Sequence, residues 1–154
     1  MISEMDRLLA TQQLNTLMMD YWYDVDTNWG RNAGDYYTDD AVFIGGAATY
    51  TGKEQIKAFY QWRIDRGVQR PSIHGVSNFR VVLESPTQAT STWYLLLYAA
   101  DGTPPLPTHP PIHMSLVTDI CVKGADGKWR YKSRKFDTLF EGGAKPTNPD
   151  LSKK

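Results

Sequence analysis

Asp26 and His74 are the two residues of this chain whose types suit shared proton chemistry. An imidazole titrates near neutral pH, and a carboxylate that accepts its ring N–H orients it as a general base. Asp26 closes the aromatic-rich segment LMMDYWYDVD, and His74 opens the strand-like segment IHGVSNFRVVLE. They are far apart in sequence, so only a fold that lays the first segment across the second brings them together. Asp24 competes with Asp26, because the two flank one helical stripe on opposite sides. His113 is a second acid/base or substrate-binding candidate, whereas His109 lies in a proline-rich stretch and reads as structural or solvent-exposed. No Cys/His spacing fits zinc. Asp39-Asp40 reads as a turn before a strand, and Gly45-Gly46 and Gly142-Gly143 lack the strand–turn–helix setting of a nucleotide site. Neither a metal nor a cofactor is expected, and no Ser nucleophile elbow is present.

The elements that must position this chemistry follow from periodicity. Residues 3–28 read as a helix, with Leu14, Leu17, Met18, Tyr21, Trp22 and Val25 on one stripe. A short second helix is predicted over 30–37, then a strand in TDDAVFIGG and a returning strand over 48–51. Thr51 and Glu54 have capping-box spacing and start a third helix over 53–66, with Ile56, Phe59, Tyr60 and Ile64 inward and Gly67 as its stop. Segments 72–84, 88–100, 112–124 and 128–140 read as strands, separated at Pro86, a proline-rich connection over 101–111 and the Asp126-Gly127 hairpin turn. The 101–111 connection is read as a rim loop or a spacer. Gly75 offers a place for a bulge that re-aims His74.

Three N-terminal helices followed by a mainly antiparallel sheet make an α+β domain. We expect one domain over 1–140 and an irregular, partly disordered tail over 141–154. Strand 88–100 is apolar on both faces, with Trp93, Leu95 and Leu97 on one and Tyr94, Leu96 and Tyr98 on the other. Helices cover one face; a second copy of the chain is the expected cover for the other, giving a homodimer or higher homo-oligomer. On strand 112–124 the more apolar face, Met114, Leu116, Ile120 and Val122, is read as the inner one, with His113 pointing away. On strand 128–140 alternation sets Arg134 with Arg130, Lys132 and Phe136, opposite Trp129 and Tyr131.

The formal net charge is zero, which argues against nucleic acid or an anionic membrane as partner. The single cysteine, Cys121, excludes an internal disulfide framework. The start MISEMDRLLATQQ does not read as a signal peptide and no stretch reads as a membrane span, so a cytoplasmic protein is expected. Five Trp and nine Tyr suggest an apolar cavity with polar tips for a small molecule. Trp22, Trp29, Tyr37, Phe43 and Trp93 are its candidate lining.

The order of elements, with YYTDDAVFIGG, TYTGKEQI and DGKWRYKSRKF, resembles the SnoaL-like branch of the NTF2-like superfamily over roughly residues 5–140. The resemblance implies a curved sheet wrapped round a long helix into a cone with a deep apolar pocket. It extends to the hexachlorocyclohexane dehydrochlorinase and scytalone dehydratase relatives in that branch. It implies Asp26 and His74 as a dyad, preferring Asp26 to Asp24 on spacing, although Tyr23-Asp24 is similar to a Tyr-Asp pair of the dehydratase. It implies Arg134 as a stabiliser of developing negative charge. Tyr21 stands where the dehydrochlorinase has a lysine that assists a departing halide, so elimination of water is favoured, with Tyr21 as a hydrogen-bond donor. The implied activity is a cofactor-independent lyase or isomerase acting on a small cyclic or aromatic metabolite. The alternatives are the small subunit of a ring-hydroxylating oxygenase, compatible with IHGVSNFRV, and a ligand-binding protein with an inert pocket.

Overall fold

A computed structural model describes residues 1–142 and 149–153. Helix α1 spans Glu4–Asn28 and is closed at its start by a reciprocal box: the Ser3 hydroxyl accepts the Asp6 N–H and the Asp6 carboxylate accepts the Ser3 N–H. It buries Leu14, Met18, Tyr21, Trp22 and Val25, the stripe expected from spacing, and ends where Trp29 turns left-handed at φ 61°.

The predicted second helix over 30–37 is not an α-helix. It is a single 3-10 turn, Ala33–Tyr36, with no side-chain cap at Asn32. Two glycines within eight residues, Gly30 at φ +70° with the Tyr60 ring packed where a Cβ would lie, leave too little to nucleate a longer helix. Two α-helices therefore serve the sheet rather than three. The second, α2, spans Lys53–Asp65 and buries Ile56, Phe59 and Tyr60. The Thr51–Glu54 box does not form: Gly52 is the N-cap, and the Gln55 side-chain oxygen accepts the Thr51 N–H. Gly67, at φ +65°, lies just past its end.

Six strands complete the fold: β1 Tyr37–Gly45, β2 Ala48–Thr51, β3 Ser72–Ser85, β4 Gln88–Ala99, β5 His113–Lys123 and β6 Trp129–Glu141. They form one sheet in the order β2-β1-β6-β5-β4-β3. The pairing of β1 with β6 is parallel and the others are antiparallel. Helix α1 packs across β3 and β6, and α2 across β1 and β2. Register puts His74, Leu97 and His113 in one row of the inner face, and Ser91, Asp119 and Arg134 in another.

Two irregularities decide which side chains face inward. In β3 the register shifts between Ser77 and Arg80, where Asn78 has φ 57°. Gly75 is regularly paired with Leu96, so the expected bulge at Gly75 is absent and lies further along the strand. In β6 the register shifts between Tyr131 and Ser133, leaving Lys132 as the extra residue. That insertion reverses the alternation, so Tyr131 and Arg134 both turn inward.

On β5 the inner face is His113, Ser115, Val117, Asp119 and Cys121, the reverse of the reading from hydrophobicity. Asp119 and His113 Nε2 find partners there, Ser115 Oγ and His113 Nδ1 have none among the described residues, and Met114, Leu116, Ile120 and Val122 face out. Of the predicted irregular tail, Glu141 ends β6, and 143–148 and 154 lie outside the described residues. Pro149 returns to the domain, where its carbonyl accepts the Tyr50 hydroxyl at 2.8 Å.

Candidate active site

Between the two helices and the inner face of the sheet is a cavity of about 810 Å³. Its lining includes Trp22 from α1, Phe43 from β1, Tyr60 and Arg63 from α2, His74 from β3 and His113 from β5. Gly46, Ala47, Leu139 and Glu141 are exposed lining residues and mark its mouth. The proline-rich connection over 101–111 contributes nothing to the lining, so it is not a rim loop of this cavity.

The last turn of α1 crosses the start of β3 and joins Asp26 to His74. His74 Nδ1 lies 2.6 Å from Asp26 Oδ1. The His74 backbone N–H donates to Asp26 Oδ2 at 3.0 Å, and the Ser72 hydroxyl donates to Asp26 Oδ1 at 2.9 Å. The carboxylate is thereby fixed on both oxygens and accepts the Nδ1–H. Nε2 is left without a hydrogen bond among the described residues and is not sealed from the cavity. The Trp22 ring stacks on the imidazole at 4.1 Å and 7°. Burial pulls the His74 pKa below its ordinary 6.5, the Asp26 hydrogen bond and charge partly oppose this, and the Arg63 and Arg134 charges add to the lowering. At neutral pH the imidazole is therefore an unprotonated acceptor, which is the form a general base needs.

Behind Trp22 lies a second, sealed pair. Arg134 Nε and Nη2 donate to the two oxygens of Asp119 at 2.7 and 3.0 Å, with both side chains fully buried. Trp93 Nε1–H donates to the same carboxylate at 2.8 Å. The guanidinium lies over Tyr131 at 3.9 Å and Tyr21 at 4.8 Å. Burial opposes its charge, but Asp119 with the Tyr131 and Tyr37 phenols more than offsets this and raises its pKa well above the ordinary value. Arg134 does not border the cavity, so it braces the wall that carries Trp22 rather than touching what the cavity holds.

Tyr21 is likewise sealed and does not border the cavity. The Tyr37 hydroxyl donates to Tyr21 at 2.8 Å, and the Tyr21 and Tyr60 hydroxyls share a hydrogen bond. Tyr21 accepts from Tyr37, and its hydrogen bond with Tyr60 can run in either direction. Tyr60, unlike Tyr21, borders the cavity. Burial raises the pKa of Tyr21 and of Tyr60, so both are neutral donors.

The remaining expectations divide. Trp22, Phe43 and His113 border the cavity, and His113 Nε2 meets the Thr138 hydroxyl at 2.9 Å. Trp29 does not: as the left-handed residue ending α1 it sits in a separate small crevice beside Arg66 and Val68. Tyr37 and Trp93 are core residues held by Tyr21 and Asp119. Asp24 is no partner of His74. It accepts Asn28 Nδ2, Asn32 N and Asn32 Nδ2 at 2.8 to 3.0 Å and ties the chain leaving α1. Tyr60 and Arg63 were missed as site residues, although Arg63 follows Phe59 and Tyr60 at helical spacing and so shares their inward stripe. Among the described residues no group of three or more His, Cys, Asp or Glu side chains is placed to hold a metal, and no helix is long and apolar enough to cross a membrane.

Comparison with known proteins places the fold. The SnoaL-like domain family matches residues 6–135. A candidate scytalone dehydratase from Novosphingobium aromaticivorans superposes with a TM-score of 0.80 at 19% identity, over 96% of this chain and 96% of its own. LinA superposes with a TM-score of 0.72 at 22% identity, over 89% of this chain and 90% of its own. ActVI-ORFA from Streptomyces coelicolor gives 0.69 at 18% identity, over 82% and 95%. At these identities the likeness establishes the fold. No curated protein sequence matches the chain.

Proposed function

The chain belongs to the SnoaL-like domain family, and from that premise we propose that it is a cofactor-independent lyase of the dehydratase type, or an isomerase, acting on a small apolar cyclic or aromatic metabolite. The observation that carries the reading is the 2.6 Å contact of His74 Nδ1 with Asp26, which leaves Nε2 accessible on the cavity wall. In this reading Nε2 takes a proton from a carbon next to a carbonyl. The C–H bond breaks, an N–H bond forms, and the electron pair moves into an enolate. Asp26 stabilises the resulting imidazolium, and the Tyr60 O–H donates to the enolate oxygen. The enolate then expels a β-hydroxyl, which leaves as water with the proton from the imidazolium. Return of that proton to a different carbon instead gives isomerisation. Tyr21 and Tyr37 are positioning residues that orient Tyr60, and Arg134 keeps Trp22 against the imidazole.

Support for an elimination comes from the relatives, among them a candidate scytalone dehydratase. The test is incubation with a panel of cyclic and aromatic β-hydroxy ketones in deuterated water, followed by mass spectrometry. Deuterium uptake or loss of water is expected from the native protein. H74A should lose it by about 10²–10⁴-fold while remaining folded. Undiminished exchange in H74A would remove His74 from the mechanism.

We also propose that copies of the chain associate through the outer sheet face. Ile73 with Tyr98, Leu96 with Met114 and Phe140, and Tyr94 with Leu116 form apolar rows there, and Ile73, Tyr94 and Phe140 are exposed. Sedimentation should give a dimer or larger species at micromolar concentration; a monomer would contradict this.

A further inference from the structure

The charged groups around the cavity are unevenly matched. Arg70 borders it and is paired with Asp101 at 2.9 Å, a carboxylate that Arg66 also holds at 2.6 Å. Asp26 is engaged by His74 and Ser72, and Glu141 is exposed at the mouth. Arg63 differs from all of these. It is half-buried and borders the cavity, yet among the described residues it has no carboxylate partner and no hydrogen-bond acceptor. Its guanidinium lies only against two rings, 5.9 Å from the centroids of both Phe59 and Tyr60. At that distance the rings hold the side chain in place without neutralising it.

We propose that Arg63 forms an anion-binding subsite on the cavity wall, and that the substrate carries a carboxylate or an acidic enol or phenol oxygen which docks there. A guanidinium offers donors in a planar fork that fits a carboxylate through two parallel bonds. Desolvating a cation without a counter-ion is costly, so a half-buried, unmatched arginine on a cavity wall fits a partner delivered by the ligand. The Arg63 charge reaches the reactive part of the cavity, since it lowers the pKa of both His74 and Tyr60. An anionic group bound at Arg63 therefore sits within the same electrostatic neighbourhood as the base. This assignment names the substrate class of the site proposed above and rests on that cavity being the reactive one.

The test uses two probes of the same shape, 2-naphthoate and 2-naphthamide, titrated calorimetrically into the full chain. The native protein should bind the naphthoate about tenfold or more tightly than the amide. R63Q should abolish that preference while leaving the amide's affinity unchanged, and R63K, which keeps charge but not the fork, should retain part of it. Thermal melts of both variants check folding, and the native preference decides alone if R63Q fails to fold. Equal affinity for the two probes, a preference that survives in R63Q, or no binding of either at millimolar concentration would overturn the subsite. H74A should keep the naphthoate preference while losing deuterium exchange, so a failed anchor and a failed base give different results.

Discussion

Two carboxylate–nitrogen pairs sit on the inner face of this sheet, and the contrast between them separates brace from reactive site. Asp119–Arg134 is sealed, with neither side chain exposed, and its nitrogen partner stays protonated at any working pH. It can orient rings and cannot move a proton. Asp26–His74 is only partly buried, its side chains 19% and 9% exposed, and its nitrogen partner has its pKa lowered by burial and one ring nitrogen left open. The same acid–base motif becomes structure in one place and candidate chemistry in the other, because burial and the identity of the base differ. Trp22 joins them, stacked on His74 on one side and within 5.3 Å of the Arg134 guanidinium on the other.

Breaking the sealed pair should have the largest effect. D119N leaves a buried guanidinium without its counter-ion and should lower stability by about 3–5 kcal/mol in chemical denaturation. Per folded molecule, its deuterium exchange should stay within about threefold of native, whereas a selective loss of exchange with unchanged stability would make Asp119 part of the chemistry. Y60F tests the relay from the other side. It should cost about tenfold in exchange rate, one charge-assisted hydrogen bond, with little change in stability. A Y21F variant losing more than Y60F would return the donor role to Tyr21.

The smallest effect is with pH. Burial lowers the His74 pKa below 6.5, so the free imidazole is the folded state's form at neutrality. The exchange rate should level off above about pH 6.5 and fall as pH drops through the folded pKa below it. Between the two values the unfolded chain binds the extra proton, so this residue's contribution to stability is full above 6.5 and is lost as pH falls toward the folded value. A rate that begins to fall above pH 7 would mean a raised pKa and a different base.

Much of this was legible in the sequence, and the exceptions have local causes. The bounds of α1, α2 and the four long strands follow from apolar spacing and turn residues, which act over a few neighbours. Arg134 was not legible because a single inserted residue, Lys132, reverses the alternation after Tyr131. The facing of His113 was misread because hydrophobicity marks the inner face only when the outer face is wet. Here Met114, Leu116 and Ile120 face out while Asp119 is satisfied inside by Arg134. Asp24 and Asp26 are two residues apart and point to different tasks, one to Asn28 and Asn32, the other to His74. The choice between them rested on resemblance in spacing, since residue types alone do not separate them. Tyr60 rather than Tyr21 borders the cavity, and the hydroxyl contact between them joins residues 39 apart in sequence, which local spacing does not reveal.

The central claim is that Asp26 makes His74 a base, and D26N addresses it most directly, since it replaces one carboxylate oxygen by an amide nitrogen and keeps the shape of the site. Deuterium exchange into a responsive substrate should fall by about 10²-fold or more in D26N, with a melting temperature close to native and the naphthoate preference intact. Exchange at the native rate in a folded D26N protein would contradict the account.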